Sequence, residues 1–310
     1  MAVSANVADA STGCGPATGH HVRVATADAL QTALDAAQPG DVIQLSPGTY
    51  DGNFTVAHGG LASSPVVVCG SSAVLDGGSV LTGYTLHVTQ APFVDIEELT
   101  IVHGQKAVMV DASPSVTLRK LTIGGTGYEG VVFRHGSSAG VLRDSTISDT
   151  GLTEPDFGEG VYIGSAVNNW CAFACLPDQT DQVVIADNHF GPDITAEAVD
   201  VKEGTTGGTV QGNVFNGVGM SAALSWVDVK GNNWTITGNT GSNSQRDGFS
   251  DNIAVTGWGN NNVFADNHAT VHGPGYGFRI DPRALRVIVY TSNVVVDAAS
   301  GASNVPEQSG

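Results

Sequence analysis

The 310-residue sequence predicts an all-β chain wound as one parallel β-solenoid, on three observations: a repeat near 25 residues, no helical pattern between the β runs, and a turn-rich composition. Only 14% of residues are charged and 41 are Gly, while Val, Thr, Asn and Asp recur throughout, which favours short strands joined by tight turns. The repeat is clearest in a column formed by Leu99, Leu121, Ser145, Asn188, Asn213, Asn239, Asn267 and Asn293, spaced 22, 24, 43, 25, 26, 28 and 26 residues apart. The single long step holds the irregular insertion "NNWCAFACLPDQT". Stacked asparagines hydrogen-bond along a ladder and tolerate left-handed backbone, so this column is read as structural.

A solenoid needs a cap at each open end. "TADALQTALDAAQPGD" supplies a short N-terminal capping helix, with Thr26 as N-cap, Leu30, Ala33, Leu34 and Ala37 on one face, and Pro39-Gly40 as the stop. "DVIQLSPGTY" and "PVVVCG" follow as the first strands. Residues 1–20 are expected to be a flexible N-terminal segment, 21–300 one β-helix domain, and 301–310 a tail that frays or lies along the last coil.

A net charge of −18 with only 12 Lys plus Arg leaves no basic stripe for nucleic acid. No stretch is long and apolar enough for a membrane span, and the first residues carry neither a charged n-region nor an apolar h-region, as in a mature chain with a restart Met. Cys14, Cys69, Cys171 and Cys175 form an even set without a metal-binding spacing. Pairing of Cys171 with Cys175 across a short loop leaves Cys14 with Cys69, although two other connectivities are open. Disulfides imply an oxidising, extracellular setting.

A second column locates the candidate site. The runs beginning at Glu129, Glu159, Glu197, Ser225, Asp247 and Tyr276 align so that Val131, Val161, Val199, Val227, Phe249 and Phe278 point inward. The fourth position, Val132, Tyr162, Asp200, Asp228, Ser250 and Arg279, then points out. The sixth, Arg134, Gly164, Lys202, Lys230, Asn252 and Asp281, joins it. Asp200, Lys202, Asp228 and Lys230 thus form a square of alternating charges about one strand spacing across. Solvated surface pairs of this kind are worth only about 0.2–1 kcal/mol each. Yet the scarce cations Arg134, Lys202, Lys230 and Arg279 share one sheet, edged by the acids Glu129, Glu159, Glu197 and Asp247, and Tyr162 and Trp226 add aromatics for a linear polymer.

From "ALDAAQPGDVIQLSPGTYDGNFTV" through "GEGVYIGSA", "VDVKEGTTGG" and "SWVDVKGNNWTITGN", over about residues 20–300, the chain resembles the secreted right-handed parallel β-helix proteins that include pectate, chondroitin and alginate lyases. The resemblance implies a Ca²⁺-dependent lyase that breaks a uronate polymer by β-elimination, acting as a monomer on an acidic polysaccharide. In that reading Lys202 is the base, Lys230 the second choice, and Arg279 neutralises the substrate carboxylate, with Arg134 the alternative. Arg134, Tyr162, Trp226 and Asp281 bind substrate, and Asp200, Asp228 and Glu197 ligate calcium through hard oxygens. A lysine base needs its pKa lowered, which a nearby divalent cation achieves and an adjacent Asp opposes. Two other readings compete. A polygalacturonase-like hydrolase needs carboxylates about 6.5–9.5 Å apart to invert, wider than Asp200 and Asp228 on adjacent coils. A non-catalytic glycan-binding protein would use the square only as a contact strip.

Overall fold

The computed structural model describes Cys14 and residues 19–310, so the expected flexible N-terminal segment lies almost wholly outside the described residues. The chain winds as a parallel β-helix. Its strands pair with those of the next coil in parallel, and one wall is a ten-stranded sheet that receives one strand per coil, from Phe54–Val56 to Gly301–Ser303. The capping helix is Ala27–Ala36, with Thr26 Oγ1 accepting from the Ala29 amide at 3.2 Å and Leu30 and Leu34 buried. Gln31 ties it to the first coil, donating to Thr55 O at 3.0 Å and accepting from Thr55 N at 2.9 Å. At the other end the C-terminal residues lie along the last coil, where Gly301–Ser303 pairs with Tyr276–Phe278 and the Gln308 amide donates to Val289 O. Disulfides join Cys14 to Cys69 and Cys171 to Cys175. No helix of the described residues is long and apolar enough to cross a membrane.

The interior is filled by the inward columns: Val131, Val161, Val199, Val227, Phe249 and Phe278 are all fully buried, and Phe249 stacks on Phe278 at 5.2 Å. The asparagine column forms a continuous ladder. Asn188 Nδ2 donates to Asn213 Oδ1 at 3.0 Å, Asn213 to Asn239 at 3.0 Å, Asn239 to Asn267 at 2.9 Å and Asn267 to Asn293 at 3.0 Å. Each of these carboxamide oxygens also accepts the backbone amide of the preceding coil's residue. The left-handed backbone expected at this corner falls one residue earlier, at Asp187, Gly212, Gly238 and Asp266. That leaves the asparagines in a conformation where both ends of the amide bond along the stack.

Two rows of loops flank the ten-stranded sheet. On the side where its strands begin, Thr153 N donates to Gly127 O, Thr195 Oγ1 to Pro155 O, Ser221 N to Thr195 O and Gln245 Nε2 to Ser221 O, which links successive loops into one rim. On the other side stands the disulfide-closed insertion, with a 3₁₀ turn at Val167–Ala172.

Candidate active site on the ten-stranded sheet

Strand register brings the outward residues together. Val132 pairs with Tyr162, Tyr162 with Asp200, Asp200 with Asp228, Asp228 with Ser250 and Ser250 with Arg279. Asp200 sits at the centre with only 2% of its side chain exposed, and one oxygen accepts the Lys202 ammonium while the other accepts Lys230 Nζ at 2.7 Å. Lys230 also contacts Asp228 Oδ2 at 2.6 Å, and Asp228 Oδ1 accepts from Asn252 Nδ2 at 2.8 Å. Asn252 in turn accepts from Arg279 Nη1 at 3.3 Å, so Arg279 closes the row. Lys202 lies over the Tyr162 ring, 4.7 Å from its centroid, and the Tyr162 oxygen accepts the Ala166 amide at 3.2 Å. Gly164 on the preceding coil has φ at +85° and packs against Thr205, whose Cγ2 would stand 2.6 Å from an added Cβ.

Burial and charge oppose one another across this cluster. Burial pushes the Asp200 carboxyl up, but the two ammonium groups outweigh it and hold Asp200 below its ordinary range. Burial likewise lowers both lysines, and Asp200 more than reverses it, so Lys202 and Lys230 are held protonated. The Tyr162 phenol is pushed up to about 12, chiefly by burial, against the pull of Lys202. Glu197 is pushed up to about 7, first by burial and then by the charge of Asp200. Glu159 rises well above a normal glutamate for the same reasons, with Glu129 adding to them.

Oxygens of Glu159, Glu197 and Asp200 lie within 4.8 Å of one another, and Glu159 Oε2 is buried without a hydrogen-bond partner. A cluster of hard oxygens with one unsatisfied is a set that fits a divalent cation. It contains two of the three anticipated ligands. Asp228 stands outside it, engaged by Lys230 and Asn252, and Glu159 takes its place.

The fold has a strong likeness among solved structures. The crystal structure of the alginate lyase from Paenibacillus sp. str. FPU-7 matches with 35% sequence identity and a TM-score of 0.88, over 93% of this chain and 99% of that one. The chain belongs to this family of polysaccharide lyases. Pectate lyase Pel9A (13% identity, TM-score 0.64, 89% of this chain and 79% of that one) shares the fold of the lyase. So does a mannuronic acid specific polysaccharide family 6 lyase from human gut microbiota (14% identity, TM-score 0.65, 92% and 66%). No protein-family model matches the lyase, and no curated protein does.

Two anticipated substrate contacts of the lyase are corrected by the structure. Trp226 is fully buried, edge-on to Phe249 at 5.6 Å, and has no surface to offer a polymer. It precedes the strand Val227–Val229, at the corner where the chain turns and the in-out alternation does not hold. Asp281 lies just past the end of Tyr276–Ile280 and accepts from Arg283 Nε at 2.9 Å and Nη2 at 2.6 Å. The Arg283 hydrogen bonds hold its carboxyl down to about 2, so it is a loop anchor and not part of the charged square.

Arg134 belongs to a satellite group two coils away. It donates to Asp111 Oδ1 at 2.6 Å, while His87 Nε2 lies 2.9 Å from Asp111 Oδ2 and His135 Nδ1 lies 3.2 Å from Oδ1. Burial would raise Asp111, but these partners outweigh it and hold the carboxyl down to about 2. Sequence reasoning set Glu159 only at the sheet's edge and missed Asp111 and His87 altogether. The first-position acid column signalled Glu159, while nothing in the local pattern singles out Asp111.

Proposed function

We propose that the lyase cleaves alginate or a closely related uronate polymer by β-elimination along the outward face of the ten-stranded sheet. The observation that carries this reading is the pairing of two lysines with one buried carboxylate, Asp200, beside Tyr162. The reaction removes the C5 proton of a uronate, breaks the C4–O4 bond and leaves an unsaturated sugar at the new non-reducing end. Because Lys230 also binds Asp200, Lys202 can turn to the substrate without leaving that carboxylate unpaired. Turned from Asp200 and shielded by the bound polymer, Lys202 gives its proton up to solvent, and the neutral amine then takes the one at C5. Lys230 and Arg279 remain cationic and neutralise the substrate carboxylate as the carbanion develops. Tyr162, kept protonated by burial, gives its proton to the departing O4. Arg134 extends the positive track two coils along.

Calcium held by Glu159, Glu197 and Asp200 would add positive charge beside the uronate carboxylate. The two disulfides favour an exported, extracellular enzyme. Incubation with alginate, pectate and glucuronan, with and without chelator, tests the reading: an unsaturated, UV-absorbing product is expected from alginate. Reducing ends without unsaturation would refute elimination, and retention without cleavage would leave a binding protein.

A further inference from the structure

Beside the catalytic strip, the disulfide-closed insertion covers a cavity of about 290 Å³ that the elimination chemistry does not use. Its floor is built around Asp178, whose buried carboxylate accepts from His135 N at 2.8 Å, Gly136 N at 2.9 Å, Ser165 Oγ at 2.6 Å and Thr180 Oγ1 at 2.7 Å. Trp170 is fixed by its indole N–H donating to Ser165 O at 2.8 Å. Gly204, with φ at +100°, lets this assembly seat closely, since a Cβ there would stand 2.9 Å from Asp178 N and 3.3 Å from Trp170 Cζ2. Phe173 stacks on His135 at 4.4 Å with 9° between the planes and is still 63% exposed, so its outer face is open.

The chemistry of this cavity differs from that of the strip. Among its described lining residues none is Lys or Arg, the one carboxylate repels anions, and the exposed polar groups are the amides of Asn169 and Gln179. An apolar aromatic face with a few neutral hydrogen-bonding groups suits an uncharged sugar ring, which has an apolar face and hydroxyl edges. The volume lies at the lower end of the about 300–1,000 Å³ typical of small-ligand sites, enough for one or two sugar units but not a chain. Its position matters as well. His135 follows Arg134, and Ser165 is three residues past Tyr162, so a group entering the cavity branches sideways from a polymer lying on the strip.

We propose that this cavity is an accessory subsite for a neutral sugar branch of a uronate polymer related to alginate, with Phe173 and Trp170 as its stacking walls. The proposal rests on the polysaccharide-lyase reading for its biological substrate, but its binding test does not. Calorimetric titration of the whole protein with mannotriose and cellotriose should show binding of at least one, weakened about tenfold or more in Phe173→Ala. Turnover of alginate, which lacks neutral units, should change less than twofold in that variant. Leu176→Ala, a second exposed lining change that spares both disulfides, should also weaken the binding. Absence of binding by the intact protein, or binding untouched by both variants, would overturn the subsite. An equal loss of alginate turnover in Phe173→Ala would overturn it too, by marking the cavity as a uronate site. If no polymer is cleaved at all, the elimination reading fails while the titration still decides the cavity.

Discussion

The asparagine ladder and the charged strip are built by the same stacking of coils, yet they come out differently. In the ladder every residue is alike: a carboxamide donates to the next coil and accepts from the one before, so all its groups are paired. In the strip unlike groups share the stack, and the match is incomplete. Two lysines share Asp200, Glu159 keeps an unpartnered oxygen, and Tyr162 and Glu197 are displaced from their ordinary protonation ranges. A self-complementary column stabilises. A mismatched one keeps groups ready for another molecule, as clusters with perturbed protonation at functional sites do.

The sharpest break between the two columns is functional. Lys202→Ala should lower alginate turnover by about 10²–10⁴-fold, the range for a lost proton-transfer group, with the unfolding midpoint little changed. Turnover that survives the change would remove Lys202 from the chemistry. Asn239→Ala should do the reverse. It strips partners from the Asn213 amide and carboxamide, from Asn267 Oδ1 and from Val210 O, a cost of about 2–4 kcal/mol. Denaturant unfolding should show that loss, with the rate per folded molecule retained.

Glu159→Gln tests the carboxylate cluster. Added calcium should raise the melting temperature of the intact protein and raise it less in the variant, whereas equal shifts in both would deny Glu159 a place among the ligands.

A pH-dependent effect concerns Asp251, which faces inward where its neighbours carry Val229 and Ile280. Asn262 Nδ2 donates to one oxygen at 2.7 Å, the other has no partner, and burial pushes the carboxyl up to about 8. The folded state therefore binds a proton that the unfolded chain releases near pH 4. Stability from this group is complete below pH 4 and is lost as pH rises to about 8. Asp251→Asn should flatten that slope in unfolding curves measured between pH 5 and 8. An unchanged slope would assign it to other groups.

Much of this was legible along the chain. The alternation that put Val199 and Val201 inside and Asp200 and Lys202 outside is a property of the strand itself, and the aligned runs match the register residue by residue from Val131 to Phe278. The capping helix and the Cys171–Cys175 pair were readable from local pattern or short spacing, and the asparagine ladder from the regular repeat, whereas Cys14–Cys69, 55 residues apart, was one of several connectivities left open. Trp226 was misread because it lies at a corner, where direction depends on how the chain bends. Asp281 was misread because a strand ended one residue before it. Sequence by itself determined the winding, the register and the face on which the charges stand, because period-two alternation and a regular repeat are written locally. Only the tertiary structure decided that both lysines converge on Asp200, that Glu159 and not Asp228 joins the carboxylate cluster, and that the insertion roofs a cavity lined by no Lys or Arg. Apart from the Lys202–Asp200 pair, those contacts join residues well separated in the chain, and they depend on the bend of each corner and the reach of each side chain across the stack.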